Sequence, residues 1–201
     1  MNFDTSTLPV QDNYRLLNGG VTPRPIAWIS TQSKSGVDNL APYSFFTVVS
    51  CNPPVLMYTQ VTQRSSLDKD TLQNLKETGE CVVNIANSLL LSQVNTSSAS
   101  LNSEVSEFDF ANVKKVSSYL VRPFSVAESP VRYECTLREL ITVSDLPASG
   151  TMVLLDVKSV YVKDQLYIDN NIDQTSLDTI GKMGGSDYCH TTQLTSLNRP
   201  E

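Results

Sequence analysis

Short runs of β-branched and aromatic residues, separated by Pro, Gly, Asn and Asp, dominate the hydrophobic pattern of this chain. Such residues fit the pleated surface of a sheet, and the separators are typical of turns between strands. Strands at this density predict a mainly β protein with a closed or partly closed barrel and inserted helices. The predicted strands are residues 25–31, 41–50, 55–61, 81–86, 131–143, 151–162 and 165–168.

Two stretches have helical spacing instead. In residues 70–77, Leu72 and Leu75 share one face, and Gly79 follows as a common signal for the end of a helix. A second helix is predicted after Asn87, where the spacing of three apolar residues would turn them to the core: Leu90, Leu91 and Val94.

The segment between residues 96 and 106 is rich in Ser and Asn, which predicts a surface loop. It ends in Glu107-Phe108-Asp109-Phe110, and we expect this motif to dock the loop back on the body of the protein. The expected organisation is a polar N-terminal segment at 1–14, one domain at 15–190 and a tail at 191–201.

Composition and charge narrow the classes of function. The chain has 201 residues, of which 40% are hydrophobic and 18% charged, and this is typical of a single globular domain. A net charge of −6 argues against nucleic-acid binding and against attraction to an anionic membrane. No apolar run approaches the roughly 20 residues that a membrane-spanning helix needs, so the expected compartment is the cytoplasm.

Four cysteines lie far apart, without a C-x-x-C pair, and are expected to be free thiols: Cys51, Cys81, Cys135 and Cys189. Cys81 and Cys135 fall in predicted strands, where they would pack as small apolar side chains. His190 is the only histidine, so no zinc ligand set is expected.

Residues 63–71 carry the clearest chemical hint. Arg64 and Lys69, with the hydroxyls of Ser65, Ser66 and Thr71, lie between a predicted strand and the start of a predicted helix. Unpaired N–H groups and the positive end of the dipole favour an anion there, which predicts a phosphate site. A plain helix cap formed by Ser66 or by Asp68, with both cations solvated, remains the alternative.

Five blocks of sequence, in order over roughly residues 15 to 190, resemble the flavin reductase-like family. They are NGGVTPRPIAWIST at 18–31, GVDNLAPYSFF at 36–46, KDTLQN at 69–74, SPVRYEC at 129–135 and KMGGSDY at 182–188. Five ordered blocks are far more specific than one short motif. The resemblance implies a split β-barrel that binds FMN near a homodimer interface.

The resemblance also implies site residues. The second block would run along the flavin ring, which makes its contacts Asn39, Ala41, Tyr43 and Ser44. For Tyr43 the alternative is barrel core, and for Phe45 and Phe46 we favour it. The KDT element would hold the phosphate, through Arg64, Ser65, Ser66, Lys69 and Thr71, while Asp70 caps the helix or orients Lys69.

One position departs from the family. Lys182 stands where arginine is usual, so a bidentate contact is lost, although the cation could still reach the partner subunit's flavin. Arg24 matches the family, but packing or a salt bridge is at least as good an explanation for it.

The implied activity is hydride transfer from NADH or NADPH to flavin, with no catalytic side chain, because a flavin does this chemistry itself. Two alternatives stay open at this point. One is a flavoredoxin-like FMN carrier reduced by a partner protein, and the other is a non-catalytic flavin-binding protein.

Overall fold

A seven-stranded antiparallel sheet forms the body of the protein in the computed structural model, which describes residues 1–61 and 69–200. The order of strands across the sheet is β2-β1-β5-β8-β9-β4-β3. In chain order the elements are α1 (Val10–Gly20), β1 (Ala27–Gln32), β2 (Asp38–Tyr43), β3 (Phe46–Cys51), β4 (Pro54–Val61), α2 (Asp70–Thr78), β5 (Glu80–Ile85), α3 (Leu91–Thr96), α4 (Glu107–Phe110), β6 (Lys115–Val116), β7 (Ser125–Val126), β8 (Val131–Thr142), β9 (Gly150–Val162), β10 (Tyr167–Ile168), β11 (Asn171–Ile172), α5 (Gln174–Leu177), β12 (Ile180–Lys182) and β13 (Tyr188–His190).

The sheet curls until strand β2, at one end, reaches strand β4 near the other. Where the chain leaves β2, the Thr59 N–H donates to the Phe45 carbonyl at 2.8 Å. The Tyr43 hydroxyl donates to Gln60 Oε1 at 3.3 Å, and the rings of Tyr43 and Tyr58 lie 4.7 Å apart. These contacts close a barrel, and β3 continues beyond the closure along β4.

Two apolar clusters follow from the alternation of side chains along each strand. Ile29 points into the barrel, where Leu72 and Leu75 of α2 cover the interior. Trp28 and Leu40 point outward and pack with Phe108 in a second cluster. Strand β1 is therefore buried on both faces, which explains why its sequence is a nearly continuous apolar run.

Most of the predicted elements are confirmed. Helix α2 ends at Gly79, whose left-handed φ of 72° suits a residue without a side chain. The predicted helix after Asn87 is a 3-10 turn, Ser88–Leu90, followed by α3. Cys81 and Cys135 are buried in β5 and β8 as expected.

Two strand predictions are wrong in part. Residues 41–50 do not form one strand, because the chain turns at Ser44 and Phe45 and separates β2 from β3. Of residues 165–168, only Tyr167 and Ile168 are strand, and the preceding residues form a 3-10 turn. Composition alone does not reveal the first break, because aromatic residues continue through the turn.

Helix α1 falls where only a polar segment was expected. It begins at Val10, crosses the expected boundary at residue 14 and runs to Gly20. Most of its residues are exposed, including the apolar side chains of Val10, Leu16 and Leu17. No helix among the described residues has the length and apolar character needed to cross a bilayer.

The predicted docking of the 96–106 loop is confirmed. Phe108 is 1% exposed, and Glu107 is buried beside it. Glu107 Oε2 accepts the Leu40 N–H at 3.0 Å, so the carboxylate satisfies a backbone donor on the outer edge of β2.

Glu107→Gln is expected to weaken the dependence of stability on pH. Burial raises the pKa of the Glu107 carboxyl above its ordinary 4.5, and the bond from Leu40 offsets part of that rise. The folded protein then holds the proton more tightly than the unfolded chain does. Glu107 therefore contributes its full stabilisation below pH 4.5. That stabilisation is lost as the pH rises through the pKa of Glu107 in the folded protein.

Glutamine keeps an acceptor for Leu40 and does not ionise. Urea unfolding at about pH 4 and about pH 8 should show a smaller loss of stability for the variant than for the parent protein. An equal loss in both proteins would contradict this assignment.

Candidate functional site

Two adjoining cavities meet at the end of strand β2, and both are lined by Pro42, Tyr43 and Ser44. We call them together the Tyr43 groove. The first, of about 300 Å³, lies against α3 and the β12–β13 hairpin. The second, of about 540 Å³, lies against β4, Lys69 and Tyr14 of α1. Both volumes are in the range of roughly 300–1,000 Å³ that small-molecule sites occupy.

Strand β2 offers backbone groups to this groove because it is the last strand on its side of the sheet. The Leu40 N–H points away from β1, to Glu107. Backbone groups alternate sides along a strand, so the Pro42 carbonyl faces the same open edge. Proline suits this edge position because it has no N–H to leave unpaired.

Lys69 stands at one end of the groove, immediately before α2. Its ammonium group lies 5.6 Å from the centre of the Tyr43 ring. The side chain is exposed at the rim, and desolvation by the surrounding protein lowers the pKa of the ammonium group from the ordinary 10.5. The first N–H groups of α2, from Asp70 and Thr71, have no acceptor within the helix. Lys69 therefore brings a cation to this end of the groove, and the first N–H groups of α2 follow it directly in the chain.

The predicted phosphate residues are only partly covered by the structure. Arg64, Ser65 and Ser66 lie outside the described residues. Lys69 lies at the groove, whereas Thr71 is 1% exposed and sits beneath it.

A layer of buried polar contacts supports the groove from below. Asn39 Nδ2 donates to Thr71 Oγ1 at 2.8 Å and to Thr31 Oγ1 at 3.3 Å. Asn74 Nδ2 also donates to Thr31 Oγ1, at 3.0 Å. These bonds tie α2 to β1 and β2. The side chains of Asn39 and Thr71 thus hold the helix in place, and Ala41 packs against the barrel core.

Tyr43 and Ser44, two of the predicted flavin contacts, both line the groove, but in different ways. The Tyr43 ring is buried between Tyr58 and Lys69, and burial raises the pKa of its hydroxyl, which therefore stays protonated. Both predictions for Tyr43, a flavin contact and a part of the barrel core, are compatible with this position, because one face of its ring packs in the core. Ser44 is half-buried and lines both cavities.

Lys182 lies on the opposite wall, in the β12–β13 hairpin. Its ammonium group donates to the carbonyls of Gly185, at 2.6 Å, and Asp187, at 3.0 Å, and lies 4.4 Å from the centre of the Tyr188 ring. Two of its three N–H donors therefore hold the hairpin turn, and one is left for a further acceptor.

The sequence reasoning gave too little weight to one residue behind the groove and to one that lines it. Arg24 is 6% exposed and donates to Ser44 Oγ from the side of α1 and the β12–β13 hairpin. Tyr14 was placed in a polar segment, yet it lines the 540 Å³ cavity. The TPRP motif at residues 22–25 was a sequence signal for Arg24, whereas no local pattern marks Tyr14.

The described residues contain no group of three or more His, Cys, Asp or Glu side chains that could hold a metal ion. The four thiols are free, and His190 is exposed at the end of β13. The chemistry available at the groove is therefore binding through cations, hydroxyls and backbone groups.

The chain is similar to known proteins over most of its length. Residues 19–176 match the flavin reductase like domain. An uncharacterized protein of Halalkalibacterium halodurans is 35% identical over all of this chain and 97% of its own length.

Two solved structures are also similar. Nitrilotriacetate monooxygenase component B from Bacillus cereus has a TM-score of 0.93 at 29% identity and covers 98% of both chains. The 2-nitrobenzoate 2-nitroreductase of Pseudomonas fluorescens has a TM-score of 0.89 at 26% identity, over 100% of this chain and 96% of its own. A third structure, of a protein with a split barrel domain from Shewanella frigidimarina, has the same fold, with a TM-score of 0.86 over 100% of both chains at 23% identity, which confirms the predicted split β-barrel. The chain belongs to the flavin reductase-like domain family, that is, to the flavin-related oxidoreductases.

Proposed function

We propose that this protein binds FMN in the Tyr43 groove and transfers hydride from NADH or NADPH to it. The observation that carries the proposal is the polarity of the groove. It has a cation and a helix N-terminus at one end, and the open edge of β2 along its wall. A ligand with a phosphate at one end and a flat heterocycle at the other matches these features.

The residues present fit FMN. Lys69 and the first N–H groups of α2 would hold the phosphate. The Pro42 carbonyl and the Ser44 hydroxyl would contact the ring heteroatoms, as an acceptor and as a donor. Arg64, Ser65 and Ser66 stay proposals from the sequence, as further phosphate donors. Lys182, with one free N–H, stays a proposal for a contact to the flavin of a partner subunit.

The chain itself binds, orients and shields. Bound FMN would supply the hydride-accepting chemistry, because side chains have no comparable group. Tyr43 is buried at the floor of the groove, and its hydroxyl stays protonated. No side chain is assigned a nucleophilic or general-base role.

We also propose a cytoplasmic homodimer. Apolar side chains are exposed along α1, next to Tyr14 and the groove: Val10, Leu17 and Val21. A second copy that covered this face would bury them and narrow the groove. The four free thiols suit a reducing compartment.

The electron acceptor is proposed to be a partner enzyme that takes up reduced flavin. One similar protein is named as a component of a monooxygenase, which supports a two-component arrangement. The net charge of −6 favours, in addition, the alternative of an FMN carrier that docks to a redox protein.

The test is an absorbance spectrum of the purified protein with FMN, followed by anaerobic addition of NADH and then NADPH. Bleaching of bound FMN by either nucleotide supports hydride transfer and names the donor. Flavin that bleaches only with dithionite supports the carrier. A protein that neither retains nor takes up FMN contradicts flavin binding altogether.

A further inference from the structure

Arg24 joins three walls of the Tyr43 groove through one buried guanidinium group. Its Nη1 donates to the carbonyls of Asn18, at 2.6 Å, and Val21, at 3.0 Å, at the end of α1. Its Nη2 donates to the carbonyl of Met183, at 3.0 Å, beside the β12–β13 hairpin. Its Nε donates to Ser44 Oγ at 3.3 Å. The partners lie as far as 159 residues away along the chain.

The charge of this guanidinium is not neutralised within the described part of the chain. No ion pair joins Arg24 to a carboxylate there, and its partners are carbonyls and one hydroxyl. The carbonyls at the end of α1 offset part of the cost of burying this cation, and without a carboxylate partner its remaining charge favours an anion in the adjoining groove.

Lys182 adds a second cation on the same wall. Its backbone pairs with that of Arg24, with N–H···O distances of 3.0 and 2.8 Å. Burial lowers the pKa of the Lys182 ammonium group, and repulsion by Arg24 lowers it further, against a smaller opposing effect of Asp187. Lys182 therefore lines the 300 Å³ cavity directly, and the Arg24 guanidinium lies behind its wall, bonded to Ser44.

The bond from Arg24 also sets the direction in which Ser44 can act. Because Ser44 Oγ accepts from the guanidinium, its own O–H is left to donate elsewhere. Ser44 lines both cavities of the groove, so the available acceptor is a ligand in the groove.

We infer that Arg24 is the positioning residue of the flavin site, which orients the Ser44 hydroxyl toward the ring and supplies unpaired positive charge that favours reduced over oxidised flavin. This inference rests on the proposed function. Reduction adds two electrons and one proton to the neutral ring, and the product carries one negative charge near neutral pH. A cation at the wall of the groove stabilises that product selectively.

The experiment compares the dissociation constants of oxidised FMN and of dithionite-reduced FMN under anaerobic conditions. Arg24→Gln should lower the preference for the reduced form about 10-fold, which corresponds to a fall of about 30 mV in the two-electron potential. Arg24→Lys, which keeps the charge, should retain most of that preference. Ser44→Ala should weaken both forms alike, by roughly 2- to 10-fold, as expected for one neutral hydrogen bond.

Two further variants separate charge from folding. Arg122→Gln removes an exposed arginine that pairs with Glu80 away from the groove, and it should change neither constant. Lys182 lies on the surface of the β12–β13 hairpin, so Lys182→Gln tests the effect of positive charge on flavin binding even if Arg24→Gln does not fold. Lys182→Gln should lower the preference for reduced FMN about 3-fold, which is less than the effect of Arg24→Gln because the Lys182 charge is less buried. Thermal unfolding of each apoprotein reports folding separately.

The inference is overturned if Arg24→Gln, or Lys182→Gln where the former is unfolded, weakens both redox forms equally. Arg24 would then only hold the walls together. If the parent protein binds no FMN in either form, the proposed function fails and the inference fails with it. Binding by the parent protein with an unchanged preference in the variants overturns the inference alone.

Discussion

Phe108→Ala is expected to lower the free energy of unfolding by about 3–5 kcal/mol, the usual cost of deleting a fully buried aromatic ring. Phe108 is 1% exposed and packs with Trp28 and Leu40 on the outer face of β1 and β2. The cavity left behind is bounded by these strands, which have little freedom to collapse into it. Equilibrium unfolding in urea, followed by tryptophan fluorescence, measures the loss directly, because Trp28 is the only tryptophan.

Phe110→Ala is the matched control for this prediction. Phe110 belongs to the same short helix, α4, but is 52% exposed. Its removal should change the stability by no more than about 0.5 kcal/mol. Equal effects of the two substitutions would show that the 107–110 turn does not dock in the way that the structure indicates.

Lys69→Ala is expected to weaken FMN binding by about 1–3 kcal/mol, or roughly 5- to 150-fold, the range for a charge-assisted contact. The reason is the position of the ammonium group, at the rim of the groove and at the start of α2. Quenching of FMN fluorescence gives the dissociation constant. Lys163→Ala, which removes an exposed lysine after β9, is the control and should leave the constant unchanged.

The same contact predicts a dependence on pH. Because desolvation lowers the pKa of the Lys69 ammonium group from 10.5, the cation is lost at a lower pH than for an ordinary lysine. FMN affinity should therefore fall as the pH rises toward this lowered pKa, and the affinity of Lys69→Ala should not show that fall. Unchanged affinity in the variant at neutral pH would assign Lys69 to the solvated surface.

Local patterns were enough to predict most of the strands and the helix from Asp70. Alternating apolar residues specify which side chains share a face, and Gly79 marks the end of α2 without reference to the rest of the molecule. The return of the 96–106 loop was also predictable, because Phe108 is an apolar anchor after a polar segment. These features are visible in local patterns of residue type, although the contacts that Phe108 makes with Trp28 and Leu40 join residues that are distant in the sequence.

The break between β2 and β3 was not predictable in this way. Aromatic and β-branched residues continue on both sides of Ser44, from Tyr43 to Val49, and the turn at Ser44 and Phe45 is held by the bond from Thr59 across the barrel closure. A contact between distant strands thus overrides local preference, as is common in sheets.

The sequence by itself determined that this is a strand-rich chain of the flavin reductase-like family with an anion site expected before α2. Only the tertiary structure decided which candidates face the groove. Asn39, Ala41 and Tyr43 share one face of β2, but spacing does not tell whether that face meets a ligand or the barrel interior. Barrel closure turns Ala41 and Tyr43 to the core, because Tyr43 then contacts Gln60 of β4, a strand near the opposite end of the sheet.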